Sequence, residues 1–132
     1  MLKKYALKMG IGMKKIHLST NEKEYKEGHI IEGGIKFFGG LIPQKIRRYD
    51  IDLIACNQEN DKEEIVRSHS VFCSIPVQPN EQKETVFTLE IPSANEMNAK
   101  DNDYYIQANF MLDHKLEQSV RVAVKISPLA TM

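Results

Sequence analysis

The sequence predicts an all-β fold, an antiparallel seven-stranded β-sandwich preceded by one short helix. Three observations predict it. Apolar and polar residues alternate with period two from Met13 to Ser127. Glycine pairs, prolines and Asn/Asp clusters interrupt that alternation where turns are needed. A chain of 132 residues with this pattern also leaves no room for the crossover helices of a parallel α/β sheet.

The elements follow in order. Leu2, Tyr5, Ala6 and Met9 stand at helical spacing with lysines between them, and Gly10-Ile-Gly12 stops the pattern. Residues 1–12 are therefore expected to form a short amphipathic helix and a glycine hinge, residues 13–127 the sandwich, and residues 128–132 a tail. Met13–Asn21 places Ile16, Leu18 and Thr20 on one face. A tight turn at Tyr25-Lys-Glu-Gly28 leads into His29–Phe38, which groups Ile31, Gly33, Ile35 and Phe37. Lys45–Ala55 points Tyr49, Ile51, Leu53 and Ala55 inward and Arg48, Asp50 and Asp52 outward. Glu64–Pro76 is ambiguous, because Ile65, Val71, Cys73 and Ile75 share one face while Val66 and Phe72 oppose them. Glu84–Pro92 turns Phe87, Leu89 and Ile91 inward; Tyr104–Asp113 and Glu117–Ser127 alternate likewise. The longest stretch without strand character, Ser93–Asp103, reads as a surface loop, the kind of segment in which binding residues often lie.

Composition narrows the function classes. Lys plus Arg and Asp plus Glu number 18 each, which argues against a nucleic-acid binder. The neutral total hides a basic start (Lys3, Lys4, Lys8, Lys14, Lys15) and an acidic stretch (Glu59, Asp61, Glu63, Glu64). No continuous apolar segment marks a secretory signal or a membrane span, so the expected location is cytoplasmic or membrane-proximal. With a hairpin turn at residues 57–62, Cys56 faces Ile65 and Cys73 faces Arg48. The thiols are then about 27 Å apart at about 3.3 Å per residue, beyond disulfide reach. Free thiols are expected.

No constellation carries chemistry. His17, His29, His69 and His114 lack the close spacing of a local metal motif. His69 and Cys73 share a strand face but stand about 13 Å apart, too far for a nucleophile–base pair. Asp101-Asn102-Asp103 lacks the glycine and distal Glu of a calcium loop. Gly33-Gly34 and Gly39-Gly40 are not followed by the lysine and helix of a phosphate loop, and read as a bulge or close backbone approach and as a corner. Asp50 and Asp52 are expected to form cross-strand salt bridges on an exposed surface. No catalytic, cofactor-binding or metal-binding residue is predicted.

Several stretches together resemble an arrestin-type sandwich, an immunoglobulin-like fold, and specifically the bacterial sporulation-control proteins of the stage-zero M family. They are the Leu2–Met9 segment with its Gly10-Ile-Gly12 hinge and Lys15-Ile-His-Leu strand, Tyr25-Lys-Glu-Gly28 with Ile31-Glu-Gly33, Gly39-Gly40 before Ile46–Leu53, Glu84–Pro92, and Tyr104–Phe110. The resemblance implies an adaptor or scaffold without catalysis, acting in sporulation control or a related process. Family members usually continue into a second similar sandwich; here Ile126-Ser-Pro128 looks like the start of a linker, and a single-domain relative and a truncated form both fit.

The leading expectation is a non-enzymatic protein-interaction module with no cofactor and an unidentified protein partner. One alternative is a peripheral adaptor that associates weakly with anionic membranes through Lys3, Lys4, Lys8, Lys14 and Lys15. The other is a structural module that forms a homodimer through an exposed edge strand.

Overall fold

Eight strands in two facing sheets form the β-sandwich of a computed structural model, which describes residues 12–93 and 102–128. The strands are β1 (Lys15–Thr20), β2 (Glu24–Lys26), β3 (Ile30–Phe38), β4 (Gln44–Asn57), β5 (Glu63–Val77), β6 (Gln82–Glu90), β7 (Asn102–Leu112) and β8 (Glu117–Ser127). One sheet has three strands in the order β1-β3-β6, the other five in the order β2-β8-β7-β4-β5. The all-β, arrestin-like sandwich is as expected. The helix expected over Leu2–Met9, with Lys3, Lys4 and Lys8, lies outside the described residues, as does most of the Ser93–Asp103 segment.

The alternation places the core as the sequence requires. Ile31, Ile35, Phe37, Leu18, Phe87 and Leu89 from the smaller sheet face Ile46, Tyr49, Ile51, Leu53, Ile106, Ala108, Phe110 and Leu112 from the larger one. Phe37 meets Phe110 edge-on across the two sheets, with ring centroids 5.2 Å apart.

Two features correct the sequence reading. Among the described residues the strand count is eight, not seven, and the pairing is not wholly antiparallel, because β2 pairs with β8 in parallel. Three residues are too few to display a period. Instead, β2 is fixed by Tyr25, whose buried hydroxyl accepts from the Glu22 N–H at 3.0 Å and donates to the Glu32 carbonyl at 3.2 Å. Gly28, at φ +81°, then turns the chain into β3, a left-handed conformation that favours glycine.

The second correction is the register of the β4–β5 hairpin. Cys56 pairs with Glu63, not Ile65, and Ile54 pairs with Ile65. The register then slips, so that Leu53 pairs with Arg67 and Val66 is the extra residue of a bulge. This explains the mixed pattern of Glu64–Pro76. Val66 packs on the core with Val71, Cys73 and Ile75, while Ile65 and Phe72 point to solvent. Cys56 and Cys73 are free thiols, as expected.

The adjacent glycines of β3 are a close approach and not a bulge, because both ladders run through them without a slip. A Cβ on Gly33 would lie 2.3 Å from the Ser19 carbonyl oxygen and 2.5 Å from Phe87 Cζ. The chain direction also gives the charges a geometry. The β3–β4, β5–β6 and β7–β8 connections lie at one end of the sandwich with Lys14 and Lys15. The acidic β4–β5 connection with Glu59, Asp61 and Glu63 lies at the other.

Candidate functional site

The outer face of the five-stranded sheet is built in rows, because registered neighbours on β5, β4, β7 and β8 point the same way. Phe72, Arg48, Met111 and Glu117 form the first row. Ser70, Asp50, Asn109 and Ser119 form the second, and Ser68, Asp52, Gln107 and Arg121 the third. Ile65, Ile54, Tyr105 and Ala123 form the fourth. Two polar rows are thus flanked by rows that carry apolar side chains.

The polar rows are connected by hydrogen bonds that converge on Asp52. Arg121 Nη2 donates to Gln107 Oε1 at 2.7 Å, and Gln107 Nε2 donates to Asn109 Oδ1 at 2.9 Å. Asn109 Nδ2 donates to Asp52 Oδ2 at 3.2 Å, and Ser68 Oγ donates to Asp52 Oδ1 at 2.6 Å. Asp52 was expected to be outward and exposed in a salt bridge. It is outward, but only 6% exposed, and its partners are an amide and a hydroxyl. Its position on a strand flanked on both sides explains the burial, since Ser68 of β5 and Gln107 and Asn109 of β7 pack around its carboxylate. Asp50 does form an ion pair, but with Arg48 of its own strand at 3.0 Å and not across strands. Ser70 Oγ donates to the same Asp50 oxygen at 2.6 Å.

Beyond the polar rows, Arg121 also pairs with Glu63 at 2.7 Å and lies 5.2 Å from the centre of the Tyr105 ring. The hydrogen bond from Arg121 holds the Glu63 carboxyl below the usual carboxylate range and raises the guanidinium in return. Partial burial, and then the carboxylates of Glu63, Asp61 and Asp103, push the Cys56 thiol up. Burial also pushes up the Cys73 thiol, which donates to the Ile46 carbonyl at 3.2 Å.

At the first row, Phe72 stands 77% exposed with the Arg48 guanidinium 5.1 Å from its ring centre. Met111 is 37% exposed beside Arg48. A shallow depression of about 550 Å³ adjoins the row, lined by Arg48, Asp50, Asn109, Met111, Gln118 and Ser119. Sequence reading missed this row. Phe72 was visible as a residue opposing the face of its strand, but without the β4 register nothing joined it to Arg48 and Met111.

Of the lysines singled out from sequence, Lys14 and Lys15 are exposed at the start of β1, where the Lys14 N–H donates to the Phe38 carbonyl. Lys3, Lys4 and Lys8 lie outside the described residues, so the five are not seen together. The four histidines are exposed and separate, and among the described residues no group of three or more His, Cys, Asp or Glu is placed to hold a metal ion. Among the described residues no helix is long and apolar enough to cross a membrane.

The SpoOM protein family matches residues 2–132. This chain belongs to that family. It is 30% identical over 96 residues to sporulation-control protein spo0M of Bacillus subtilis (strain 168), a match that covers 68% of this chain and 37% of the relative. The crystal structure of Spo0M from Bacillus subtilis superposes with a TM-score of 0.71 at 19% identity, over 86% of this chain and 49% of that one. The chain therefore spans half or less of each of these relatives. A superoxide reductase (neelaredoxin) from Ignicoccus hospitalis shares the fold at a TM-score of 0.51 and 11% identity, over 86% of this chain and 80% of that one. At that identity the likeness shows the fold alone.

Proposed function

We propose that this SpoOM-family chain is a non-enzymatic adaptor in the control of sporulation or a related process. It holds a protein partner on the outer face of the five-stranded sheet. The observation that carries the reading is the Phe72–Arg48–Met111 row. Aromatic residues, Arg and Met are the types enriched at interfaces, and a few such anchors supply most of the binding energy. Phe72 is held before any partner arrives: Arg48 lies over its ring, Asp50 holds Arg48, and Ser70 holds Asp50. Prior ordering lowers the cost of association. The carboxylates that acid–base chemistry would need, Asp50 and Asp52, already serve as acceptors for neighbouring side chains.

The test is affinity capture from sporulating host cells, followed by titration of the recovered protein against wild type and Phe72→Ala. Truncating so exposed a ring should leave the melting temperature unchanged and weaken binding about 30-fold, the size of an interface hot spot. Unchanged affinity in both Phe72→Ala and Met111→Ala, or turnover of a small molecule by the purified chain, would overturn the reading.

A further inference from the structure

We propose that the end of the sandwich carrying the β3–β4 loop docks on an anionic lipid bilayer, with Leu41 and Ile42 entering the headgroup layer. These two residues are 72% and 43% exposed at adjacent positions, an uncommon arrangement for aliphatic side chains on a loop. The base of the loop is fixed. The Gly39 N–H donates to the Glu81 carbonyl at 2.8 Å, and Gly39 lies so close to the Gln78 carbonyl that a Cβ there would fall 2.0 Å from it. Pro43 restricts the exit from the tip. The aliphatic pair is thus presented by a rigid base.

The charges around the loop have the sign an anionic surface requires. Lys14, Lys15, Lys45 and Lys115 are exposed at this end, and among the described residues none of their ammonium groups has an ion-pair partner. The acids nearby are largely engaged. Asp113 accepts from Arg47 Nε at 2.8 Å and from the Lys45 N–H at 3.1 Å, and Glu81 Oε1 accepts from the Gln78 N–H at 3.0 Å. Glu117, at the start of β8, is the remaining carboxylate of the hairpin and is also engaged. At the far end lie Glu59, Asp61, Glu63 and Glu64. Lys23, Lys62 and Lys125 lie at that end too, but there they are outnumbered by carboxylates, including Glu22, Glu24 and Asp103, so the molecule turns its other, lysine-bearing end toward an anionic surface on approach.

The shape favours a bilayer over an acidic protein as the occupant. The apolar element is a two-residue aliphatic tip without an aromatic anchor, whereas protein hot spots are aromatic or Arg residues set in well-packed pockets. A short aliphatic tip with lysines behind it suits the shallow headgroup–acyl boundary, where long basic side chains reach back to the phosphates. The site is distinct from the Phe72–Arg48–Met111 row, so either can fail alone.

The test is sedimentation of the full chain with phosphatidylglycerol vesicles and with phosphatidylcholine vesicles, at low and high salt. Binding is expected with the anionic vesicles only, and should fall as salt screens the lysines. Leu41→Ser with Ile42→Ser should weaken it tenfold or more at either salt level, with an unchanged melting temperature. Each of Lys14→Gln, Lys15→Gln, Lys45→Gln and Lys115→Gln should weaken it about fivefold. Phe72→Ala should have no effect. Equal binding to neutral vesicles, no binding to anionic ones, or an undiminished loop variant would overturn the proposal. So would loop variants that lose an acidic protein partner while vesicle binding is absent.

Discussion

Replacing each of the two adjacent β3 glycines with alanine should have opposite effects, although both sit in the same strand with ordinary φ angles. At Gly33 the new methyl group would stand 2.3 Å from the Ser19 carbonyl oxygen and 2.5 Å from Phe87 Cζ, where ordinary contact begins at 3.4 Å. The Phe87 ring tip can swing aside. The Ser19 oxygen cannot, because it belongs to the backbone of β1, which is paired to β3 from Lys15↔Phe38 to Thr20↔Gly33. Relief requires β1 to retreat by about 1 Å, which weakens its ladder and lifts Leu18 from the core. Overpacking of this severity costs about 3 kcal/mol, and in a domain of this size that lowers the melting temperature by about 10 °C. At Gly34 the methyl would point to the outer face, 3.7 Å from the Thr85 carbonyl oxygen and 3.8 Å from Ser19 Oγ, both ordinary contacts. Gly34→Ala should be neutral or stabilising by up to about 1 kcal/mol, because alanine loses less backbone entropy on folding. Urea and thermal unfolding of the two variants decide the matter. Equal stabilities, or a Gly33→Ala variant as stable as wild type, would refute the steric reasoning.

Three further predictions follow from the hydrogen-bond and thiol environments. The Arg47 hydrogen bond holds the Asp113 carboxyl below its usual value, so the pair's stabilisation is complete above the unfolded carboxylate range and is lost as pH falls through the folded value. Acid unfolding of Asp113→Asn should therefore be shallower than wild type below about pH 4, and superimposable acid branches would exclude the linkage. The Cys56 and Cys73 thiols, both pushed up, should react with iodoacetamide at neutral pH more slowly than a small free thiol; mass spectrometry of timed samples measures this, and faster labelling would contradict it. Gln118 clasps the Met13 backbone at both N–H (2.7 Å) and carbonyl (3.1 Å), so Gln118→Ala should cost about 2 kcal/mol and speed amide exchange at Met13, whereas unchanged exchange would show that the clasp is dispensable.

The sandwich was legible because one face of nearly every strand is buried, and a buried face writes period two into the sequence. The inward sets of β3 and β6 were read residue for residue. Legibility ended where local pattern no longer determines structure. The strand β2 is too short to alternate and depends on a tyrosine hydroxyl bonding to Glu22 and Glu32. The Val66 bulge flips the face of β5 midway, which a single strand shows only as ambiguity. The Phe72–Arg48–Met111 row was hidden for the same reason. Asp50 and Asp52 look alike in sequence, but one pairs with Arg48 while the other is sealed beneath neighbours on two further strands. Which of the two was buried depended on registers that no one-dimensional pattern contains.

That difference bears on how the outer sheet face can work. At its centre, Arg121, Gln107, Asn109, Asp52 and Ser68 satisfy one another, so a partner placed there would have to break internal hydrogen bonds to gain new ones. Ile54, buried on this outward side and absent from the main core cluster, adds a small apolar contact beneath the same region. The centre therefore stiffens the sheet without offering unused polar groups. What the face does offer lies at its margin, where Phe72 and Met111 stay exposed on either side of an Arg48 already fixed by Asp50. The proposed docking role draws on this division, with a few anchors at the margin to bind and a rigid polar centre to hold them in place.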